Sequence, residues 1–350
     1  MRSGQYLNSE TSILIAHARL SALLLRISNQ LVLTIGILRS VENVWAALAV
    51  YFGMMKCAHL RFRNRSVVVF VTKDNFSSCI DLTKIFLSGK IEHIGSDKFR
   101  FLHSRGLEFD CHDSASVSFA SCASDMNCYN DSYGNVICIV GGLKFIVPYP
   151  HGAFELRETL IDKEYGEPYC KNAVVVDVGA FIGDSSLFFA SRGAKLVVAF
   201  EPIPELFRIL KENIILNRFE KIIDARNEAI SDHSGTADIG YLPNMPGSSG
   251  ENLIWHAKRV ISACTSLSDV IKSLGWVDIL KMDCEGCEHK ALRDAAKNGS
   301  LKNVGMILIE VHYDVRGVIE LLKSNCFRIA NLTKLPLDNR WILSTEHKSS

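Results

Sequence analysis

The chain has 350 residues, 48% of them apolar, enough for a large core and for about two domains of ordinary size. Its formal net charge of +1 gives no basis for a nucleic-acid or strongly acidic partner. Eleven cysteines, an odd number scattered through apparent strands and helices, point to a reduced, cytoplasmic protein with buried thiols rather than a disulfide scaffold. No secretory signal with a short apolar core and a small-residue cleavage site is read.

In chain order, residues 1–65 read as a helical apolar region. Isolated charges at Arg19, Arg26, Arg39 and Glu42 interrupt it. Its longest uncharged run, Val44–Met55, falls short of the about 20 residues a bilayer span needs. The expectation is helices packed on the rest of the chain or on a second copy, in a homo-oligomer. The basic residues Lys56, Arg61, Arg63 and Arg65 keep peripheral membrane contact open as the alternative.

Residues 66–150 read as a small mixed α/β region. It contains a strand over Val67–Val71, a short helix over Asp81–Leu87, and paired strands over Ile137–Val140 and Leu143–Val147 joined by Gly141 and Gly142. Asn130–Asn135 is turn chemistry. Cys111, His112, Asp113, Cys122, Cys128 and Cys138 have no metal-ligand spacing, and no metal site is assigned.

Residues 151–350 alternate strand and helix. Strands are expected over Ala173–Val178, Lys195–Phe200, Lys221–Arg226, Val277–Met282 and Gly305–Val311. Helices are expected over Asp184–Ser191, from Pro202 and Pro204 through Ile214, and over Asp269–Leu274, Cys287–Lys297 and Val315–Ser324. Cys326–Ala330 and Arg340–Ser344 close the chain as an antiparallel pair. The fold class is α/β: a doubly wound, mostly parallel Rossmann-like sheet, with the additional N-terminal region beside it.

Ligands of such sheets bind at the carboxyl ends of the strands. Acids stand there: Asp177, Glu201, Asp283 with Glu285, and Glu310, followed by His312. The first loop reads Asp177-x-Gly179-x-x-x-Gly183, with Ala180 after the first glycine, whereas a dinucleotide turn needs G-x-G-x-x-G. A carboxylate at this place repels a pyrophosphate and suits a cationic amino-acid head, so the inferred ligand is S-adenosylmethionine. Glu201, with Pro202 behind it, is placed to take the ribose hydroxyls. Cys284 and Cys287 form a C-x-x-C pair, read as small buried residues because the flanking acids oppose thiolate formation. Leu242–Glu251, rich in glycine and proline, reads as a surface lid.

The order of these motifs resembles the FkbM-type family of S-adenosylmethionine-dependent methyltransferases. The matching pieces are Val175–Asp184, Ala199–Pro204, Asn227–Asp232 with Gly235, Val277–Glu288 and Met306–Glu310, and they cover the last 200 residues or so. The resemblance implies a class I, seven-stranded domain over residues 151–350. It further implies that Asp177, Gly179, Ala180 and Gly183 cradle the methionine and ribose parts, that Glu228 and Ala229 flank the adenine, and that Asp283 lies near the methyl group. Phe181 departs from the family, which often has Asn there. The expected activity is O-methylation of a sugar or another small hydroxylated molecule. Asp283, Glu285, Glu310 and His312 are the candidate bases. A divalent cation held by the same acids is the alternative use of that cluster. Two other classes stay open, a nicotinamide-dependent oxidoreductase and a membrane-associated protein with a non-catalytic cofactor domain.

Overall fold

The computed structural model describes residues 57–61, 68–72, 90–95, 98–102, 108–111, 122–123, 126–148, 152–242, 245–250, 258–335 and 340–348. The expectations for residues 1–56 and for a helix over Asp81–Leu87 lie outside the described residues. No helix among the described residues is long and apolar enough to cross a membrane. The chain divides into two units, with the boundary between Arg157 and Glu158.

The first unit is built from short antiparallel pieces. Strands β1 (Cys57–Arg61) and β2 (Val68–Thr72) pair, so Cys57–Arg61 is a strand inside a stretch expected to be helical. Strands β3 (Lys90–Gly95), β4 (Lys98–Leu102) and β5 (Glu108–Cys111) form a meander. A second meander joins β6 (Asn127–Asn130), β7 (Val136–Val140) and β8 (Leu143–Val147). Its alternating residues Cys128, Cys138 and Phe145 are fully buried. Asp131 Oδ1 accepts from the Tyr133 and Asn135 amides at 2.8 Å and closes the β6–β7 turn. A single helical turn, α1 (Ala153–Leu156), ends the unit.

The second unit carries the seven-stranded sheet, in the order β11-β10-β9-β16-β17-β19-β18. The parallel strands are β9 (Val174–Val178), β10 (Leu196–Phe200), β11 (Ile223–Arg226), β16 (Val277–Met282) and β17 (Val304–Val311). The closing pair, β18 (Phe327–Lys334) and β19 (Trp341–His347), runs antiparallel. Strands covered on both faces read as continuous apolar runs, and β10 does, whereas β9 is broken by Asp177 and β16 by Asp278 and Lys281.

Each helix has a local reason to start where it does. Gly183, at φ 96°, caps α2 (Asp184–Ser191). Pro204 opens α3 (Pro204–Leu216), where its missing N–H has no intrahelical partner to lose. Ser266 Oγ accepts the Asp269 amide at the start of α4 (Leu267–Leu274). After α5 (Glu288–Lys297), Asp314 caps α6 (Val315–Ser324) in the same way. Helices α2 and α3 pack on the β9–β11 side, and α5 packs against both α4 and α6. The core runs through Val176, Phe200, Leu280, Ile307, Ile319 and Leu343.

Between β11 and α4 lies a second sheet, which the strand–helix reading did not anticipate. Its order is β12-β15-β13-β14, from β12 (Glu228–Ser231), β13 (Gly235–Leu242), β14 (Met245–Gly250) and β15 (Lys258–Ser266). Most of the segment expected to be a lid is therefore strand β14, paired antiparallel to β13. Edge pairing tolerates the Pro and Gly residues that suggested a loop.

Candidate functional site

The glycine loop joins β9 to α2 across the carboxyl edge of the sheet. The Gly179 and Ala180 amides donate to Phe200 O at 3.1 and 2.9 Å, which ties the loop to the end of β10. Gly179 has φ 78°, and a Cβ built on it would lie 1.7 Å from Asp283 O. The glycine is therefore required by the neighbouring strand end, and not only by close approach of a ligand. Asn213 Nδ2 on α3 donates to Ile182 O at 2.9 Å and fixes the far side of the loop. Phe181 adopts φ 49°, a left-handed conformation in which Asn is several-fold enriched.

Glu201, buried at the end of β10, points back under this loop. Its two carboxylate oxygens accept from the Phe181 amide at 3.0 Å and the Ile203 amide at 2.8 Å. Burial pushes its carboxyl up to about 8, against the lowering pull of these two amides. Pro202 follows it, half-buried.

Asp177 is fully buried and already well occupied. Ser185 Oγ and Ser186 Oγ donate to its Oδ2 at 2.7 and 2.5 Å, from the first turn of α2. Lys281 Nζ lies 3.3 Å from Oδ1, which has no hydrogen-bond partner among the described residues. Strands β9 and β16 pair Asp177 directly with Lys281, so two of the three charges these strands carry meet. Lys281 Nζ also donates to Gly179 O at 2.9 Å. Burial opposes the Lys281 ammonium, but Asp177, Asp283 and Asp184 outweigh it and raise its pKa. Asp184 is itself pushed up to about 6 by burial, and it accepts from Thr159 Oγ1 at 2.6 Å.

The ends of β16 and β17 form the acid-rich rim. Asp283, Glu310 and His312 present ligand atoms that all lie within 4.8 Å of one another. Glu285 Oε2 is 3.3 Å from His312 Nε2, and Glu310 Oε1 is 3.4 Å from the same nitrogen. Fully buried Glu288 accepts from the His312 amide at 2.8 Å and faces its Nδ1 at 3.2 Å. Burial works against the His312 imidazolium, yet Glu288, Glu285 and Asp283 prevail and raise its pKa to about 9. Burial lifts Glu285 to about 7 and Glu310 to about 8; Asp283 adds to both, and His312 and Arg340 partly offset it. Three non-glycine residues with positive φ lie along this edge, Phe181, Glu285 and Tyr313. Backbone held in such regions costs about 1–3 kcal/mol each and gathers at functional sites.

The four candidate bases thus come together, Gly179 of the loop packs against the Asp283 carbonyl, and Glu201 is bonded to the same loop. Glu228 and Ala229 belong to the second sheet. Thr265 Oγ1 donates to Glu228 at 2.6 Å, and the Ala229 side chain lies in a small apolar cluster with Ala237, Ile239 and Cys264.

The cysteines differ from the reading as buried thiols, because Cys284 and Cys287 form a disulfide that closes the loop carrying Glu285 and Gly286. The acids argue against a thiolate, but they do not oppose an uncharged disulfide. Sequence reasoning missed Tyr165, whose hydroxyl donates to Asp283 Oδ2 at 3.0 Å, and Arg340, whose Nη1 lies 2.8 Å from Glu310 Oε1. Neither belongs to a local motif. It also passed over Lys281, although a lysine inside an apolar strand is a visible signal.

Comparison with known proteins places this geometry. Residues 177–329 match the model of the Methyltransferase FkbM domain. The chain is 28% identical over 155 residues to methyltransferase sdnD of Sordaria araneosa, covering 35% of this chain and 60% of the relative. It is 30% identical over 199 residues to the AMB antimetabolite synthetase AmbE of Pseudomonas aeruginosa, covering 45% of this chain and 9% of that protein. The chain therefore spans less than two thirds of either relative. Among solved structures, methyltransferase FkbM from Methylobacillus flagellatus is similar at 15% identity and a TM-score of 0.39, over 67% of this chain and 55% of that one. P. horikoshii TYW2 is similar at 16% identity and a TM-score of 0.37, over 61% and 72% respectively. Residues 177–329, within the second unit, are thus similar to the Methyltransferase FkbM domain.

Proposed function

We propose that the chain is an S-adenosylmethionine-dependent methyltransferase that methylates a hydroxyl group of a sugar or another small hydroxylated molecule. The observation that carries this reading is the convergence of the glycine loop, Glu201 and the Asp283–His312 rim along one edge of a parallel sheet. The residues fit the cofactor. Glu201 is a buried acceptor held in one orientation by two amides, as binding to a ribose diol requires. The surplus of buried carboxylates suits a ligand that carries a sulfonium and an ammonium group. Asp177 acts on the loop through Ser185, Ser186 and Lys281. Glu228 and Ala229 would border the adenine.

Bound S-adenosylmethionine supplies an electrophilic methyl group. The new bond is O–CH3, the bond broken is C–S, and the proton of the acceptor hydroxyl must go to the protein. Glu285 is the rim carboxylate best placed to take it. Its side chain is 30% exposed, and its carboxyl, raised by burial to about 7, titrates where a general base works best. His312 Nε2, 3.3 Å from Glu285 Oε2, positions that carboxylate. Tyr165 orients Asp283.

The test is mass spectrometry of hydroxylated acceptors incubated with full-length protein and methyl-labelled S-adenosylmethionine. One labelled methyl on an acceptor oxygen is expected, with Glu285→Gln lowering the rate by about 100-fold or more. Labelled product bearing the methyl on carbon or nitrogen would overturn the hydroxyl assignment.

A further inference from the structure

His312 is built like a metal-binding histidine. It is 6% exposed, and its Nδ1 faces the fully buried carboxylate of Glu288, which also accepts the His312 amide. A carboxylate behind one ring nitrogen fixes the tautomer and turns the other nitrogen outward as a ligand. That other nitrogen, Nε2, is buried with no hydrogen-bond partner among the described residues and is aimed into the carboxylates of Glu285 and Glu310.

We propose that Asp283, Glu310 and His312 bind a divalent cation, with Mn2+ the best match. Two carboxylates and one imidazole suit a cation that takes oxygen ligands readily and nitrogen as well, and Mn2+ does so better than Mg2+. The three donor atoms already lie within 4.8 Å of one another, as ligands sharing one ion do. Arg340 Nη1 donates to Glu310 Oε1, the oxygen that also lies 3.4 Å from His312 Nε2, so Glu310 would meet the ion through its other oxygen. Tyr165 likewise donates to Asp283 Oδ2. The positions left open on the ion would accept neighbouring oxygens of a polyhydroxylated acceptor. This role rests on the methyltransferase reading, whereas the binding of the ion does not.

The experiment titrates MnCl2 into EDTA-stripped, dialysed full-length protein and reads free Mn2+ by electron paramagnetic resonance. Binding of S-adenosylhomocysteine is measured separately by calorimetry in EDTA. One Mn2+ per chain is expected, competed by excess Mg2+. Glu310→Gln and His312→Gln should each weaken it by more than about tenfold, and Glu288→Gln by about 10–100-fold through loss of the group behind the imidazole. Retained S-adenosylhomocysteine binding in Glu310→Gln shows that the variant is folded. Absence of a Mn2+ site in the wild type, or undiminished binding in both ligand variants, overturns the proposal. Failure of the wild type to bind S-adenosylhomocysteine would instead count against the cofactor reading alone.

Discussion

Two glycines with nearly the same φ separate dihedral strain from steric contact. Gly179 has φ 78° and would place a Cβ 1.7 Å from Asp283 O, whereas Gly275 has φ 75° and nothing within 4 Å among the described residues. Gly275→Ala should cost only the backbone strain of a sparsely populated positive-φ conformation, about 1–3 kcal/mol. Gly179→Ala should cost clearly more, because two backbone segments must separate, and urea unfolding of the two variants compares them directly. Equal losses would show that the loop does not pack on the end of β16. Glu201 makes a second prediction at this scale. Glu201→Ala should weaken S-adenosylhomocysteine binding by about 1.5–3 kcal/mol for each charge-assisted hydrogen bond lost. Unchanged affinity would remove Glu201 from the ribose site.

Elements bring together what the sequence keeps apart. The acids at strand ends were legible because an apolar run ending in a carboxylate is a local pattern. The pairing of Asp177 with Lys281 was not, since it depends on β9 lying next to β16 in one register. Tyr165 and Asp283 are 118 positions apart, and no spacing rule links them. The second sheet was missed for a related reason: β14 reads Met-Pro-Gly-Ser-Ser-Gly, which has loop composition and becomes a strand only through its neighbour β13. The buried pair carries its own prediction. Lys281→Met leaves Asp177 charged and unpaired, and breaking such a pair typically costs about 3–5 kcal/mol. Urea unfolding measures it, and a loss below about 1 kcal/mol would mean that the serine contacts alone hold Asp177. The disulfide across the Glu285 loop should contribute about 2 kcal/mol by loop-closure entropy, read from a Cys284→Ser/Cys287→Ser variant. No loss in that variant would show that Glu288 and the loop's backbone fix it without help.

At the scale of the molecule, the buried titratable groups shift in one direction. Glu201, Glu164 and Asp184 are raised to about 8, about 9 and about 6 from ordinary values of 4.5, 4.5 and 3.8, burial being the first cause in each. His312 is raised to about 9 from 6.5. All four hold a proton more tightly folded than unfolded, so their stabilisation is full below the unfolded value and is lost as pH rises through the folded one. The melting temperature of the cofactor-free protein should therefore fall between about pH 5 and about pH 9, and Glu201→Gln should flatten that slope up to about pH 8. A melting temperature that climbs over this range would contradict these shifts. The overall architecture was legible, because five strands alternating with helices admit few arrangements other than a doubly wound sheet. The seven-stranded order and its antiparallel closing pair follow that expectation. The central claim is that this edge of the sheet binds S-adenosylmethionine. Calorimetry of full-length protein with S-adenosylhomocysteine, and in parallel with NADH, tests it most directly. Saturable binding of S-adenosylhomocysteine at one site per chain, abolished or weakened in Glu201→Ala, with no heat from NADH, is the result this account predicts. Binding of NADH without S-adenosylhomocysteine would contradict it.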